Sequence, residues 1–429
     1  MEQFIIHGGR ALSGIVHPSG NKNAAFPVLA ASLLTEEPVV VHNVPEIEDV
    51  RIFQQLLNEI GVQVERLARG SYRLQAREIL STQPNPELFG QVRGSLVLTG
   101  ALLGRTGQAT LPAPGGDVIG RRRVDTHIIA LQELGATFTT NHHMRLSVDQ
   151  LRGADLLLDE ASVTGTENVI LAAVLAKGTT IIRNAACEPH VQDLCLFLNL
   201  LGAQIEGIGS NVLTIHGVDR LGGAEFTIGP DFMEVGSFIG LGAVTGGDLR
   251  IKNAGVRDLR MTRLVFERLG VDISFEGDDV LVPGDQVLTI EPDLGGAIPE
   301  IKDRPWPGFP PDLMSVAIVI ATQAQGSVLF HEWMYQSRLY FVDKLIRMGA
   351  RIILCDPHRC LVQGPTWLHG ERVESPDIRA GMALLLAALC ARGTSIISGI
   401  RQIDRGYERI EEKLLAIGAQ IERVTNDNP

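Results

Sequence analysis

The apolar residues of this chain follow a helical spacing just before each copy of a short recurring motif. Val50, Phe53, Leu57 and Ile60 are three or four residues apart and therefore lie on one face of a helix. The motif that follows is an apolar residue, a glycine, Ala or Val, a variable residue and an apolar residue. It occurs six times, with its glycine at Gly61, Gly135, Gly202, Gly270, Gly349 and Gly418. The glycine predicts the end of a helix, and the residues after it predict a strand.

The repeat unit contains further strands upstream of the motif. A glycine turn and a β-branched run precede most copies, as at residues 178–182 and 393–397. Successive motif glycines are 74, 67, 68, 79 and 69 residues apart. A regular period of this length indicates repeated supersecondary units. We therefore expect an α/β protein built from six units, each with two helices and several strands.

The two ends of the chain complement each other. Ile215-His216-Gly217 follows the third motif copy, and the similar Ile6-His7-Gly8 opens the chain with no copy before it. We expect residues 1–19 to complete the sixth unit. This predicts one three-unit domain at 20–230 and a second, discontinuous one formed by 1–19 and 231–429. The cleft between two such domains is the expected ligand site.

Composition narrows the range of functions. The chain has 429 residues, of which 45% are hydrophobic, and a net charge of −12. An acidic balance argues against a general nucleic-acid partner, and no apolar run approaches the roughly 18 residues that span a membrane. The cysteines lack a disulfide-framework or zinc-site spacing and predict reduced thiols in a cytoplasmic protein: Cys187, Cys195, Cys355, Cys360 and Cys390.

Two segments are candidates for binding anions. Lys22 and Asn23 stand at the start of an apolar helix, where backbone N–H groups attract negative charge. The loop 111–124, which we place in the first domain, is rich in glycine and ends in a run of three arginines, 121–123. Arginine makes paired hydrogen bonds to phosphate or carboxylate. The alternative is an ordinary solvated surface in both places.

Other charged residues are ambiguous when taken singly. Asp312 follows a proline-rich loop and is also a common type of helix cap. Arg338, Arg379 and Arg405 lie near predicted helix starts, and each alone is more typical of a salt bridge. The motifs of P-loop, dinucleotide-binding, zinc-protease and serine-hydrolase sites are absent from the sequence.

Taken together and in this order, these residues resemble the enolpyruvyl transferases over nearly the whole chain. The most specific matches are the segments 20–25, 124–127, 162–168, 230–231, 377–379 and 404–411. The resemblance implies two inside-out α/β domains of three repeats each, with the active site in the cleft between them. That agrees with the count of six units.

The resemblance also implies an activity. Members of this family that act on UDP-N-acetylglucosamine transfer the enolpyruvyl group of phosphoenolpyruvate to its 3′-hydroxyl by addition and elimination. Phosphate is released, in the first committed step of peptidoglycan synthesis. The implied partners are these two small molecules, with no metal, no organic cofactor, no nucleic acid and no membrane. Whether the chain is a monomer or a homo-oligomer stays open.

Residue roles follow from the resemblance alone. It implies that Lys22, Arg122 and Arg405 hold the phosphate of phosphoenolpyruvate, and that Arg338 and Arg379 act on its carboxylate. Asp312 would take the proton of the hydroxyl, and Asp117 would donate a proton to the methylene carbon. The implied substrate contacts also include Asn23, Arg93, Arg123, Val124, Asp125, Thr126, Glu160, Ser162, Val163 and Met334.

The chain departs from the family pattern at several positions. Asp117 stands where a cysteine is usual, which predicts resistance to the thiolate-alkylating epoxide fosfomycin. The other departures are Arg123, Glu160, His190, Phe232 and Pro311. Because several of these lie on the nucleotide-sugar side, two alternatives stay open: a paralogue that uses another sugar nucleotide, and a non-catalytic homologue that binds one.

Overall fold

The computed structural model describes residues 2–116, 119–120, 122–140 and 144–425. The chain divides into two compact units. The terminal unit comprises Met1–Ser19, Asp117–Arg121 and Pro230–Pro429, and the middle unit comprises Gly20–Gly116 and Arg122–Gly229. Ile119 and Gly120 thus group with the terminal unit, although the sequence suggested that loop 111–124 belongs wholly to the other one. The Ser337 N–H donates to the Ile119 carbonyl at 3.2 Å.

The strands are short and evenly distributed along the described residues. They are β1 (Glu2–His7), β2 (Gly14–Val16), β3 (Val39–His42), β4 (Gln63–Ala68), β5 (Ser71–Gln75), β6 (Gln108–Leu111), β7 (Thr137–Thr139), β8 (Met144–Ser147), β9 (Asp155–Leu157), β10 (Thr179–Arg183), β11 (Gln204–Glu206), β12 (Val212–His216), β13 (Glu225–Thr227), β14 (Leu249–Ile251), β15 (Ser274–Glu276), β16 (Asp279–Val282), β17 (Glu300–Lys302), β18 (Gly326–His331), β19 (Arg351–Asp356), β20 (Arg359–Gly364), β21 (Arg372–Glu374), β22 (Thr394–Ser398) and β23 (Gln420–Thr425).

Helices alternate with these strands. They are α1 (Lys22–Ala30), α2 (Glu48–Ile60), α3 (Pro86–Phe89), α4 (Leu98–Thr106), α5 (Asp125–Glu133), α6 (Val163–Ala173), α7 (Pro189–Leu200), α8 (Phe232–Thr245), α9 (Arg260–Arg268), α10 (Met314–Gln323), α11 (Val342–Arg347), α12 (Ile378–Cys390), α13 (Arg401–Asp404) and α14 (Ile410–Ala416).

The described strands form six sheets, three in each unit. The terminal unit has the strand orders β15-β16-β14-β2, β17-β18-β20-β19 and β21-β22-β1-β23. The middle unit has β13-β3-β5-β4, β6-β8-β7 and β11-β12-β10-β9. The α/β fold of repeated units expected from the motif count is therefore confirmed.

Each copy of the glycine motif ends a helix and begins an edge strand. The six strands are β4, β7, β11, β15, β19 and β23, and each lies at one edge of its sheet. All six motif glycines have a positive φ, for example 120° at Gly61 and 97° at Gly135. Glycine adopts this left-handed conformation at little cost, and so it ends the helix and turns the chain into the strand.

The N-terminal strand completes the last repeat, as the sequence indicated. Strand β1 lies between β22 and β23 and pairs antiparallel with both, Ile5 facing Ile396 and Glu422. The next strand, β2, joins a different sheet by pairing parallel with β14. In the middle unit, β13 likewise pairs parallel with β3, in a sheet whose other strands come much earlier in the chain. Adjacent repeats are therefore linked by exchanged strands.

Helices fill the interior of each unit. In the terminal unit α8, α10 and α12 are buried along most of their length and pack on one another. In the middle unit α1, α4 and α6 are buried in the same way. Their sequences are apolar all round, as expected of helices with no solvent face. Within the described residues, no helix is long and apolar enough to cross a membrane.

Candidate active site

A carboxylate held by two arginines lies at the N-terminal ends of the core helices of the terminal unit. Asp312 Oδ1 accepts a hydrogen bond from Arg338 NH2 at 2.6 Å, and Asp312 Oδ2 accepts one from Arg379 Nε at 2.9 Å. The Arg338 and Arg379 side chains are 12% and 7% exposed, respectively. Three residues predicted from the sequence are therefore brought together, although 67 positions separate Asp312 from Arg379.

The local backbone explains why Asp312 is available for these contacts. Residues 311–313 form a short 3-10 turn, and α10 begins only at Met314, two residues later than the sequence suggested. Asp312 does not cap the helix, so the ordinary capping interpretation is wrong for this residue. By contrast, Asp377 caps α12 by accepting the N–H groups of Arg379 and Ala380, which fixes where the Arg379 side chain starts.

The electrostatics of the cluster favour anions. Burial raises the pKa of Asp312, but the charges and hydrogen bonds of Arg338 and Arg379 outweigh it and hold the pKa well below its usual range. Two cations thus face one carboxylate. The starts of α8, α10 and α12 add partial positive charge. A cluster of this kind can bind a second carboxylate or a phosphate.

A buried tyrosine continues the network. Arg379 NH1 donates to the Tyr407 hydroxyl at 3.2 Å, and that hydroxyl lies 3.1 Å from Ser237 Oγ on α8. The Arg379 guanidinium also lies over the Tyr407 ring at 5.4 Å. Arg379 is therefore held on two sides, and only part of its guanidinium can turn toward a ligand.

Arg405 occupies a separate turn that is fixed by ion pairs. It donates from NH1 to Gln402 Oε1 at 2.8 Å. Its neighbour Asp404 accepts two hydrogen bonds from Arg423 of strand β23, at 2.7 and 2.9 Å. Arg423 also donates to Glu411 at 2.8 Å. A paired arginine–carboxylate contact is geometrically specific, so Arg423 anchors the turn that carries Arg405.

The segment before Arg338 is pinned by another carboxylate. Asp303 is fully buried and accepts the backbone N–H of Trp333 and, at 3.1 Å, that of Met334. Met334 was predicted as a substrate contact, and its side chain is partly exposed. Asp303 was not predicted, because its partners lie some 30 positions away in the sequence.

In the middle unit, Lys22 is the first residue of α1. It is 7% exposed, and its Nζ lies 2.7 Å from Asp49 Oδ2, a buried carboxylate in the first turn of α2. An anion site at this helix start would need free backbone N–H groups. The N–H groups of Asn23 and Ala24 are already used, because Asn21 Oδ1 accepts both. The charge of Lys22 is present at the expected helix start, but the capping amides are already used.

The arginines of the loop are held less tightly. Arg93 donates from NH2 to the carbonyls of Arg122 and Arg123 at 3.0 and 3.2 Å. Arg123 is exposed and pairs with Asp125 and Asp159 at 3.2 and 3.0 Å. Gly116 lies beside Arg93 and Arg122. Asp117 and Arg121, predicted to lie in this loop, fall outside the described residues.

The remaining predicted contacts lie at the starts of α5 and α6. Val124 precedes α5, and the Thr126 hydroxyl donates to Asp159 Oδ1 at 2.7 Å. Ser162 caps α6 by accepting the Gly165 N–H, and Val163 is the first residue of that helix. Glu160 is exposed, and its carbonyl accepts the Ser162 N–H at 2.7 Å.

A buried histidine behind these residues was missed. His127 Nδ1 lies 2.8 Å from Asn168 Nδ2, and its Nε2 lies 3.2 Å from the Thr164 hydroxyl. Burial, followed by the charge of Arg93, lowers the pKa of His127 to about 4. The histidine is therefore neutral near neutral pH. The sequence signal for a buried histidine was its spacing from Ala130 and Leu131, three and four residues later on the buried side of α5.

The structure shows what surrounds three of the residues that depart from the family pattern. His190 is buried near the start of α7, and Pro311 begins the turn before Asp312. Phe232 is buried and packs edge-on against Trp306 at 5.7 Å. Apolar packing thus occupies a position where an arginine is usual in the family.

Comparisons with known proteins show which family the chain belongs to. Residues 6–414 match the family model described as EPSP synthase (3-phosphoshikimate 1-carboxyvinyltransferase). The UDP-N-acetylglucosamine 1-carboxyvinyltransferase of Bradyrhizobium diazoefficiens is 55% identical over 98% of both chains. The enzyme of the same name from Treponema denticola is 54% identical over 98% of this chain and 99% of its own.

Solved structures show the same fold. The enolpyruvyl transferase NikO from Streptomyces tendae superposes with a TM-score of 0.88 at 26% identity, covering 99% of each chain. EPSP synthase from Acinetobacter baumannii gives 0.77 at 18% identity, covering 99% of this chain and 100% of its own. The family model spans nearly the whole chain and the relatives exceed half identity, so this protein belongs to the EPSP synthase family of enolpyruvyl transferases.

Proposed function

We propose that this protein transfers the enolpyruvyl group of phosphoenolpyruvate to the 3′-hydroxyl of UDP-N-acetylglucosamine and releases phosphate. The observation that carries the proposal is the 55% identity to a 1-carboxyvinyltransferase of that name over 98% of both chains. The conjunction of Asp312 with Arg338 and Arg379 supports it, because the reaction needs a base beside cations. This activity places the enzyme at the entry to peptidoglycan synthesis.

Charge dictates the division of roles. Phosphoenolpyruvate carries a phosphate and a carboxylate, and their approach to a second anionic substrate requires fixed cations. We assign the phosphate to Lys22, Arg122 and Arg405, and the carboxylate to Arg338 and Arg379. The nucleotide sugar is assigned to the remaining predicted contacts of the middle unit together with Asp312 and Met334.

Asp312 must change partners to act as a base. While both arginines hold it, the pKa of Asp312 lies well below its usual range, and a carboxylate of that kind is a weak base. The substrate carboxylate competes for the same two guanidinium groups. When it binds them, Asp312 loses hydrogen bonds, its pKa rises, and it becomes able to accept the hydroxyl proton. Phosphoenolpyruvate binding therefore activates the base.

The covalent steps follow as addition and elimination. The 3′-oxygen forms a bond to C2 of phosphoenolpyruvate while its proton passes to Asp312, and a proton from Asp117 reaches the methylene carbon. The product is a tetrahedral ketal. In the elimination, the Asp117 carboxylate takes back a methyl proton, the double bond re-forms, and the bond between C2 and the phosphate oxygen breaks. The proton held by Asp312 leaves with the phosphate, so both carboxyl groups return to their starting states. No oxidant or reductant is needed.

The decisive experiment measures phosphate release from phosphoenolpyruvate with and without UDP-N-acetylglucosamine. We expect release only with both substrates, and a loss on the order of 10²–10³-fold in Lys22→Ala, since one fixed cation is removed. Lys252→Ala is the matched control, because Lys252 also pairs with a carboxylate at 2.7 Å, that of Asp279. This control is expected to retain the wild-type rate.

Other outcomes assign the alternatives. Release that requires a different sugar nucleotide would identify a paralogue with another acceptor. Binding of UDP-N-acetylglucosamine without release with any acceptor would identify a non-catalytic homologue. Either result contradicts the proposal.

A further inference from the structure

Glu332 is a buried carboxyl group that the proposed mechanism does not use. It follows strand β18 and is fully buried. Its Oε1 accepts the Tyr335 N–H at 3.2 Å, whereas Oε2 accepts no N–H or O–H group within the described part of the chain. An ionised carboxylate would leave a charged oxygen without a donor in the interior, which is costly. The surroundings therefore favour a neutral acid.

A second buried carboxyl group faces it. Asp303 lies within hydrogen-bonding reach of Glu332 and favours its protonated form. Two adjacent carboxyl groups in the interior cannot both ionise. Asp303 already accepts the backbone N–H groups of Trp333 and Met334, so its oxygens act as hydrogen-bond acceptors. The proton of the pair therefore belongs to Glu332.

The pair lies beside the arginine that binds Asp312. Glu332 and Arg338 line one cavity of about 10 Å³, together with Asp377 and Arg379. Arg338 NH2 reaches Asp312, whereas Arg338 Nε has no hydrogen-bond partner among the residues that the structure describes. An ionised Glu332 would attract this guanidinium and compete with Asp312 for it.

We propose that Glu332 is a positioning residue which, as a neutral acid donating its proton to Asp303, keeps Arg338 directed toward Asp312 and the substrate carboxylate. The inference rests on the proposed function, since it concerns the same site. Glu332 does not touch the reacting atoms in this scheme. It acts through Arg338, and it must both stay uncharged and fill the space beside that guanidinium.

Neighbouring charges set the pH range of this state. Burial raises the pKa of Glu332 to about 9, against the lowering effect of Arg338 and with a further rise from Asp303. Asp377 and Arg379 of the α12 N-terminus face the same cavity, and α10 contributes only the uncharged Met314 and Ser315. His358 contacts the Glu332 backbone, through its carbonyl and Nδ1. Activity should therefore fall as Glu332 ionises in alkaline solution.

The test compares Glu332→Gln with Glu332→Ala. Glutamine keeps the shape, can donate to Asp303 and cannot ionise, so kcat/KM for phosphoenolpyruvate should stay within about threefold of wild type near neutral pH. Alanine should lower kcat/KM by about tenfold or more, mainly through KM, because Arg338 loses its support. One pH unit above the pKa, about a tenth of Glu332 is neutral, so the wild type should fall about tenfold relative to Glu332→Gln.

Glu234→Gln is the matched control. Glu234 is equally buried, but it pairs with Lys413 at 2.5 Å and accepts the Ser19 N–H at 2.7 Å. Because the Glu234 carboxylate pairs with a cation, Glu234→Gln should lower the thermal unfolding temperature. Glu332→Gln should leave that temperature unchanged. The ratio of the wild-type rate to the Glu332→Gln rate is taken at each pH. This ratio cancels the effect of other titrating groups, which are common to both proteins.

Each outcome decides the question. A Glu332→Gln variant as impaired as Glu332→Ala at neutral pH would mean that the charge is needed, and the proposal would be wrong. A wild-type to glutamine ratio that does not change with pH would also overturn it. If the wild type releases no phosphate, the proposed function fails instead. The infrared carbonyl band of a protonated carboxyl group, present in wild type and absent in Glu332→Gln at neutral pH, then still tests Glu332.

Discussion

The two units hold their candidate charged residues in different ways. In the terminal unit, Arg338 and Arg379 converge on Asp312, and all three side chains are largely buried. In the middle unit, Lys22 has its own buried partner, Asp49, while Arg123 pairs with carboxylates at the surface. Buried ion pairs leave a costly charge behind when one partner is removed, whereas exposed pairs contribute little. The Asp312 cluster and the Lys22–Asp49 pair are therefore preassembled, whereas the contacts of Arg123 are ones that a ligand can exchange cheaply.

Removing the shared carboxylate should have the largest effect. Asp312→Asn leaves two buried arginines without their anion and removes the proposed base. We expect phosphate release to slow on the order of 10²–10⁴-fold and the free energy of unfolding to fall by about 3–5 kcal/mol. Single-turnover phosphate release and urea unfolding measure the two effects.

The control for this variant is Asp155→Asn. Asp155 also accepts two hydrogen bonds from one arginine, Arg183, but both residues are exposed. It should change the free energy of unfolding by less than about 1 kcal/mol. Because the pKa of Asp312 is lowered, its stabilisation is present above about pH 4 and is lost as the pH falls below that value. A wild-type advantage that persists in stronger acid would contradict the ion-pair argument.

The next largest effect should come from the partner of Lys22. Asp49→Asn leaves a buried ammonium group without its counter-ion, and we expect a loss of about 3 kcal/mol in the free energy of unfolding. The double variant Lys22→Met, Asp49→Asn should recover most of this stability but not the phosphate release. Recovery of both in the double variant would remove Lys22 from the proposed phosphate ligands.

His127 should make the middle unit sensitive to mild acid. Its pKa is about 4 in the folded protein and about 6.5 when unfolded, so the unfolded chain binds the proton first. Stability is therefore lost as the pH falls from about 6.5 to about 4, by at most about 3 kcal/mol. Unfolding measured in steps of pH should show this slope in the wild type and in a His7→Gln control, since His7 is exposed. A His127→Gln variant with the same slope would show that another group causes it.

The smallest effect should come from Arg123. Its partners Asp125 and Asp159 are exposed, so Arg123→Ala is expected to change the free energy of unfolding by less than about 1 kcal/mol. KM for UDP-N-acetylglucosamine is the informative quantity, because this residue departs from the family pattern. A rise in that KM without a change in stability would assign Arg123 to the acceptor, and an unchanged KM would remove it from the site.

Much of the fold was predictable because its signals are local. The motif glycines end helices through a backbone conformation that other residues avoid, and this mark is visible within five residues of sequence. The placement of β1 could be inferred because the segment at residues 212–217 shows the same pattern inside the chain. The exchange of β2 and β13 between sheets was not predictable, since three-residue strands carry too little periodicity.

The site was predicted less completely, because its partners are distant in sequence. Asp49, Asp303 and Glu332 each look like an ordinary acidic residue of a helix start or a loop. Only the fold brings them to Lys22, Met334 and Arg338. The resemblance supplied the ligand residues but not the groups behind them, which decide their charge and orientation. The predicted cytoplasmic location and the role of Asp117 stay predictions.

The position of β1 has a consequence for how the protein is made. This strand leaves the ribosome long before both of its neighbours in the sheet, β22 and β23. Residues 20–229, by contrast, hold the middle unit almost entirely within one continuous stretch, which can fold while synthesis continues. Strand β1 therefore has neither of its sheet partners until β22 and β23 have been synthesised. A nascent chain stalled before residue 394 should accordingly contain a protease-resistant middle unit and a cleavable N-terminus.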